Sequence, residues 1–226
     1  MSYAEIPASV RSRADPARMR KRMVRDQIFA RGITDERILE AMRSVPRHLF
    51  VPEAFASRAY ADTPLPIGFG QTISQPYIVA LMTSALEPEV GSRALEIGVG
   101  SGYQAAILAS MGCFVLGIER VPDIYRQTLT RVKSLGLASR IHLYRGDGTQ
   151  GLPNAAPYER ILVSAGGPII PAPLLKQLAE GGVMVIPVGE RSREQRIVRV
   201  RKNRGRFLKE DLGPAEFVDL IGDYGW

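Results

Sequence analysis

The chain has 226 residues, 45% of them hydrophobic and 23% charged, with one cysteine and a formal net charge of +7. These totals suit one soluble α/β domain with a modest extension. They exclude an internal disulfide, and no apolar stretch approaches the ~20 residues of a bilayer crossing.

Residues 1–18 have little apolar content and read as a poorly ordered tail, without the apolar centre of a signal peptide. Residues 19–90 read as a helical extension with an active-site loop. Helical spacing covers 19–30, and Thr34-Asp35-Glu36 makes a cap and first turn for a helix through Met42. A proline-bounded linker follows at 45–52, then a helix near 52–60 and a loop dense in Pro and Gly at 63–75. Gln75-Pro76 opens another helix running to about Leu86.

From residue 91 onward strands and helices alternate. Strands are expected over 94–97, 114–118, 141–144, 160–163 and 183–188, with helices over 104–111, 122–135 and from Pro171. Strands that are apolar on both faces and separated by helices imply a parallel sheet covered on both sides. The positive charge is local: residues 191–209 hold nine Lys and Arg against one acid. There Arg196-Ile197-Val198-Arg199-Val200-Arg201 alternates at period 2, Asn203-Arg204-Gly205 turns, and Phe207-Leu208 begins a return strand. This is expected to be a solvated edge hairpin whose charge discourages edge-to-edge pairing; a nucleic-acid or acidic-protein contact is the other reading.

In such a sheet, ligands gather at the carboxyl ends of the strands, where Gly98 to Gly102, Glu119, Asp147-Gly148 and Ser164 to Gly167 fall. The first strand runs into Leu95-Glu96-Ile97-Gly98-Val99-Gly100-Ser101-Gly102, a loop with glycine at every second position, followed by a helix-like stretch. Glycine permits both the backbone conformation and the close approach of a ligand. The second strand ends at Glu119-Arg120, and Glu119 lies roughly 20 residues past Gly98, the spacing at which a carboxylate meets ribose hydroxyls. The loop contains no Lys or Arg and is no P-loop. Glu96 ahead of it would repel a pyrophosphate and suits a cation, so S-adenosylmethionine, which carries a sulfonium and an ammonium, is the expected cofactor. The fold expected is α/β: a doubly wound, mostly parallel sheet of Rossmann-like methyltransferase type, with an N-terminal helical extension and a C-terminal antiparallel hairpin within 91–226.

The segment Leu65-Pro66-Ile67-Gly68-Phe69-Gly70-Gln71-Thr72-Ile73-Ser74-Gln75-Pro76 narrows this further. Together with the glycine loop, Gly146-Asp147-Gly148, Glu180-Gly181-Gly182, Met23-Val24-Arg25-Asp26-Gln27 and Val45-Pro46-Arg47, it resembles the protein-L-isoaspartate O-methyltransferase family from about Met19 onward. The resemblance implies methyl transfer from S-adenosylmethionine to the free α-carboxylate of isoaspartyl residues in damaged proteins, whose esters close to a succinimide and reopen in part as aspartate. It assigns Ser74 to the active site and the loop Ile67, Gly68, Phe69 and Gly70 to the cofactor, with Glu96, Gly98, Gly100, Gly102, Glu119, Arg120, Asp147 and Gly148. No metal is expected. Isoaspartyl proteins and peptides are the expected partners, without nucleic acid or membrane, and the protein is expected to be a cytoplasmic monomer.

The residue chemistry agrees. A carboxylate with a pKa of about 4 is ionised at neutral pH and needs no general base. The chain has two histidines, His48 and His142, and neither they nor Cys113 stand in a loop suited to a base or nucleophile. A strong cationic clamp would overstabilise the separated charges of the ground state, so a hydroxyl and backbone N–H groups suit the task better. Ser74 then acts as a hydrogen-bonding positioner, or caps the helix at Gln75-Pro76, roles that are compatible. Glu119 is a ribose ligand or a surface acid, Asp147 meets the adenine end or makes an Asx-turn with Gly148, and Glu96 orients the loop or meets the cofactor's amino group.

The chain departs from the family pattern at Val99 (usually Thr), Glu159 (usually Asp), Ser164 and Gly166 (usually Thr and Ala), and Asp219 (usually Pro). Phe217-Val218-Asp219-Leu220 resembles a peptide-binding lid, where an added negative charge opposes an incoming carboxylate unless it points away. Two other functions remain: an RNA methyltransferase, motivated by the basic segment, and a non-catalytic protein-binding module that keeps the fold, motivated by Asp219.

Overall fold

The computed structural model describes residues 15–190 and 195–226. Its centre is a seven-stranded sheet of β3 (Arg93–Ile97), β4 (Phe114–Glu119), β5 (Ile141–Arg145), β6 (Tyr158–Val163), β7 (Leu178–Val188), β8 (Gln195–Asn203) and β9 (Arg206–Ala215), in the order β5-β4-β3-β6-β7-β8-β9. Strands β3 to β7 are parallel, and β8 and β9 are antiparallel additions at one edge. The strand order reverses direction beside β3, between β4 and β6. This is the topological switch point where a crevice opens above the carboxyl ends of the strands.

Period-2 alternation divides the sheet's side chains between two cores. Ala94, Val115, Leu162 and Val185 face α3 (Pro76–Leu86), α4 (Tyr103–Ser110) and α5 (Pro122–Ser134), through Met82, Leu86, Leu108 and Val132. Leu95, Ile97, Ile161 and Met184 face the other side, where α6 (Ala172–Gln177) contributes Leu174. The doubly wound, mostly parallel sheet and its C-terminal antiparallel hairpin are therefore present as expected. A third core joins the N-terminal extension to the outside of α4 through Met23, Ile28, Leu39, Met42, Phe50, Tyr103 and Ile107.

The extension differs from expectation in its details. Pro16–Arg18, assigned to the tail, begin α1 (Pro16–Met23), because Asp15 accepts the Ala17 N–H at 2.9 Å and Pro16 occupies the first turn. The rest of the tail lies outside the described residues. The helix expected over 19–30 continues past α1 as a π turn (Val24–Ile28) and a 3₁₀ turn, ended by Gly32 at φ +92°. Helix α2 (Glu36–Ser44) starts at Asp35, as its spacing predicts. The segment near 52–60 is a 3₁₀ turn (Glu53–Arg58) and not an α-helix. The loop at 63–75 contains a small hairpin of β1 (Leu65–Gly68) and β2 (Gln71–Ile73).

The basic segment does form β8 and β9, with residues 191–194 outside the described part. Three of its arginines are met by acids: Arg196 pairs with Asp211, Arg199 with Glu210 and Glu87, and Arg201 with Glu87.

Candidate active site

After Ile97 the chain turns through Gly98, Gly100 and Gly102 at φ +74°, +54° and +85°, values that side-chain-bearing residues rarely adopt. The Gly98 and Val99 N–H groups donate to the Ile118 carbonyl at 2.9 and 3.2 Å. Gly102 caps α4, and a Cβ there would stand 2.9 Å from Thr128 Cγ2. Gly100 is held from both sides, its N–H donating to Glu119 Oε2 at 3.0 Å and its carbonyl accepting from Thr128 Oγ1 at 2.5 Å. Arg131 of α5 donates to the carbonyls of Ser101 (3.0 Å) and Leu49 (2.9 Å). These bonds hold the loop in place.

Glu119 ends β4 beside this loop, 6% exposed, and its second oxygen accepts the Val121 N–H at 2.9 Å. It borders a cleft together with Arg120, Gly98, Gly100, Gly148 and Ser164. Gly148 faces Ile97 so closely that a Cβ would collide with it. The cleft is walled by residues 218–221 of the C-terminal segment. That segment is anchored by Gly166, whose N–H donates to the Val218 carbonyl and whose carbonyl accepts the Leu220 N–H, both at 2.8 Å. Asp219 borders this cleft, on the Glu119 side.

Glu96 lines a second, adjoining pocket with Thr72, Ser74, Gly98, Gln104 and Ser164. It is fully buried, and neither carboxylate oxygen has a hydrogen-bond partner. Burial pushes its carboxyl well above the ordinary range and the Glu119 charge pushes the same way; the Ser164 hydroxyl favours the ionised form from a position short of a hydrogen bond. The work of orienting the loop falls to Glu119. Glu96 is left as a buried acceptor facing a space that suits a cationic donor.

Ser74 stands between that pocket and a groove of about 510 Å³ lined by Arg31, Tyr77, Ile78, Leu81 and the 212–218 segment. Helix α3 takes Gln75 as its N-cap residue, with no side-chain cap bond, so the capping reading of Ser74 is not realised. Its backbone is held instead by Arg47, whose Nη2 donates to the Ser74 carbonyl at 2.7 Å. Thr72 and Ser164 border the cleft, the pocket and the groove alike. The junction therefore offers three hydroxyls. His48 is engaged with the Tyr60 hydroxyl at 2.7 Å in the extension, and Cys113 is buried on the far side of α4 beside Ser92.

Asp147 makes the Asx-turn, accepting from the Thr149 N–H (2.8 Å) and hydroxyl (2.7 Å), and it also accepts the Asp223 N–H at 2.8 Å. Burial would raise its carboxyl, yet these bonds hold it below the usual carboxylate range. It thus ties the C-terminal segment to the rim while Gly148 faces the cleft. Gly68, Phe69 and Gly70, all at positive φ, form the tip of the β1–β2 hairpin. Ile67 packs toward Gly100 and, with Gly68 and Phe69, borders a separate depression beside Phe50 and Arg131. Gln71 and Thr72, just after the tip, face the cleft instead. Ser164 falls at the carboxyl end of β6, as expected from the strand pattern, whereas Thr72 and Arg47 were not singled out as site residues. The alternation of Thr72 in β2 with Ser74 just after it was the available signal for Thr72.

Residues 18–224 match the model of the family described as Protein-L-isoaspartate(D-aspartate) O-methyltransferase. Relatives named protein-L-isoaspartate O-methyltransferase include one from Methanospirillum hungatei, 54% identical over 210 residues (92% of this chain, 95% of that protein). Another, from Syntrophobacter fumaroxidans, is 53% identical over 210 residues (92% and 96%). A solved structure of the same name superposes with a TM-score of 0.81 at 28% identity, covering 91% of this chain and 67% of that one. A Plasmodium falciparum protein, also described as a protein-L-isoaspartate O-methyltransferase and solved with S-adenosyl-L-homocysteine, gives 0.77 at 29% identity (89% and 98%). With its own glycine loop, paired acids and serine-bearing hairpin in place, the chain belongs to the protein-L-isoaspartate(D-aspartate) O-methyltransferase family.

Proposed function

We propose that the protein methylates the free α-carboxylate of L-isoaspartyl residues in damaged proteins and peptides, using S-adenosylmethionine. The observation that carries this reading is the position of Ser74, between the Glu96 pocket that adjoins the Glu119 cleft and a groove open to a polypeptide. The cleft's residues fit the cofactor. In the adjoining pocket the buried Glu96 carboxyl, whose oxygens have no partner, suits an ammonium donor, while in the cleft Glu119 at the end of β4 suits ribose hydroxyls and the bare loop at Gly98 and Gly100 permits close approach. When bound, S-adenosylmethionine supplies the methyl group that the isoaspartyl carboxylate accepts.

The chain's own residues bind, orient and desolvate. The groove walls exclude water from a carboxylate lying near Ser74, raising its reactivity. The hydroxyls of Ser74, Thr72 and Ser164 hold it without a full counter-charge, so the ion pair that collapses during transfer is not overstabilised beforehand. No proton needs removal, which agrees with His48 and Cys113 being engaged elsewhere. The site is completed within one chain, which supports a monomer, and the single buried Cys113 supports a reducing, cytoplasmic setting. No helix among the described residues is long and apolar enough to cross a membrane. The pairing of Arg196, Arg199 and Arg201 with acids speaks against an RNA substrate.

The test is a paired-peptide assay with labelled cofactor. The isoaspartyl peptide should give methyl ester and its normal-aspartyl twin should not. Equal methylation of both, or of neither, overturns the reading.

A further inference from the structure

Among the described residues, Arg47 is a fully buried arginine that the mechanism above does not use. It lies in a 3₁₀ turn (Arg47–Phe50) after Pro46. Its partners are two carbonyls and a ring. Nε donates to Ala59 O and Nη2 to Ser74 O, both at 2.7 Å, and the guanidinium lies over the Tyr103 ring, 4.9 Å from its centroid. Tyr103 is the first residue of α4, directly after Gly102, and borders the same pocket as Ser74 and Glu96. A single planar cation thus spans the serine-bearing hairpin, the extension and the start of the glycine-loop helix. Burial lowers its pKa to about 10, which leaves it charged at neutral pH. A buried cation costs free energy unless its donors are met, and one of them, Nη1, has no partner.

We propose that Arg47 is a positioning residue: it acts through the Ser74 carbonyl to hold the Ser74 hydroxyl where the substrate carboxylate must lie, and through Tyr103 locks that position to the glycine loop. The proposal rests on the methyl-transfer reading given above. Lysine keeps the charge but lacks the planar fork that reaches both carbonyls at once. Arg47→Lys should therefore lower kcat by about 10- to 100-fold, the range set by losing a charge-assisted hydrogen bond in the transition state. The affinity for S-adenosylhomocysteine should stay within about threefold, because none of the cofactor's proposed partners is removed.

The decisive measurement is a double-mutant cycle with Ser74→Ala, using isoaspartyl peptide methylation for kcat and calorimetry for S-adenosylhomocysteine. If Arg47 acts through Ser74, Arg47→Lys costs almost nothing once the hydroxyl is gone. Arg160 serves as the control. It is a buried arginine bonded to the Glu87 carbonyl at 2.7 Å, away from the site, so Arg160→Lys should lower Tm and leave kcat unchanged. Should Arg47→Lys not fold, Arg47→Gln, which can still donate to one carbonyl, replaces it in the cycle. Equal losses with and without the serine hydroxyl, or a fall in Tm with kcat intact, overturn the proposal. Wild-type protein that fails to methylate the isoaspartyl peptide overturns the function and takes this proposal with it. An active wild type with an additive cycle overturns the proposal alone.

Discussion

Glu119→Gln is the perturbation that tests the cleft most directly. In the native side chain each oxygen accepts one backbone N–H, Gly100 at 3.0 Å and Val121 at 2.9 Å, and the group is nearly buried. Glutamine is the same size, but its amide nitrogen can only donate, so one of the two N–H groups must face another donor. Losing a charge-assisted bond and stranding a buried donor costs about 1.5–3 kcal/mol. For a chain of this length, where 1 kcal/mol shifts Tm by roughly 2–4 °C, the unliganded protein should melt about 3–12 °C lower. If the remaining lone pairs meet ribose hydroxyls, the affinity for S-adenosylhomocysteine should fall by about 10- to 100-fold as well. Thermal melts with and without the ligand, together with isothermal titration calorimetry, separate the two effects. A lowered Tm with unchanged affinity would show that Glu119 serves the loop and not the nucleoside. Neither change would refute both parts of the reasoning.

Ser74→Ala should reduce methylation of an isoaspartyl peptide by about 10- to 100-fold while leaving S-adenosylhomocysteine binding intact; unaltered turnover would remove Ser74 from the reaction. Glu96 has its carboxyl pushed up by burial and by Glu119, so the folded protein retains a proton that the unfolded chain releases. Stability contributed by that proton is present at low pH and is lost as pH rises from the ordinary carboxylate range toward the raised value. The wild-type Tm should carry this downward slope, and Glu96→Gln should flatten it; parallel profiles would dispose of the assignment. Gly102→Ala must adopt φ +85° with its methyl 2.9 Å from Thr128 Cγ2, so denaturant melts should show a loss of about 1–3 kcal/mol; a neutral result would contradict the packing described. Asp147 behaves oppositely to Glu96. Its hydrogen bonds hold its carboxyl low, so their contribution is present above the ordinary value and lost as pH falls through the depressed one. Asp147→Ala should loosen residues 222–226, seen as faster amide hydrogen exchange there at neutral pH.

Much of the architecture was legible because it rests on local chemistry and on short-range periodicity. Runs such as Phe114–Ile118 and Arg160–Val163, short, rich in apolar residues and alternating with helical segments, read as strands of a parallel sheet. The glycines at Gly98, Gly100 and Gly102 announce positive φ wherever they sit, and Asp35 and the pair Gln75-Pro76 mark helix starts by bonding or steric rules confined to one turn. The hairpin at 65–73 is not legible in the sequence because its two strands are very short and the first contains Pro66 and Gly68, below the length at which alternation becomes a signal.

The sequence by itself determined the strands of a mostly parallel sheet and the identity of the acids at their ends, since backbone propensity and side-chain period act over a few residues; the strand order and its switch point came from the fold. Only the tertiary structure decided how those acids divide the labour. Glu119 holds Gly100, Asp147 is committed to the C-terminal segment, Glu96 alone among these three carboxylates is left unsatisfied, and Arg47 reaches Ser74 across 27 positions of chain. Hydrogen-bond partnership depends on distances between segments that only folding brings together, and no local pattern encodes them.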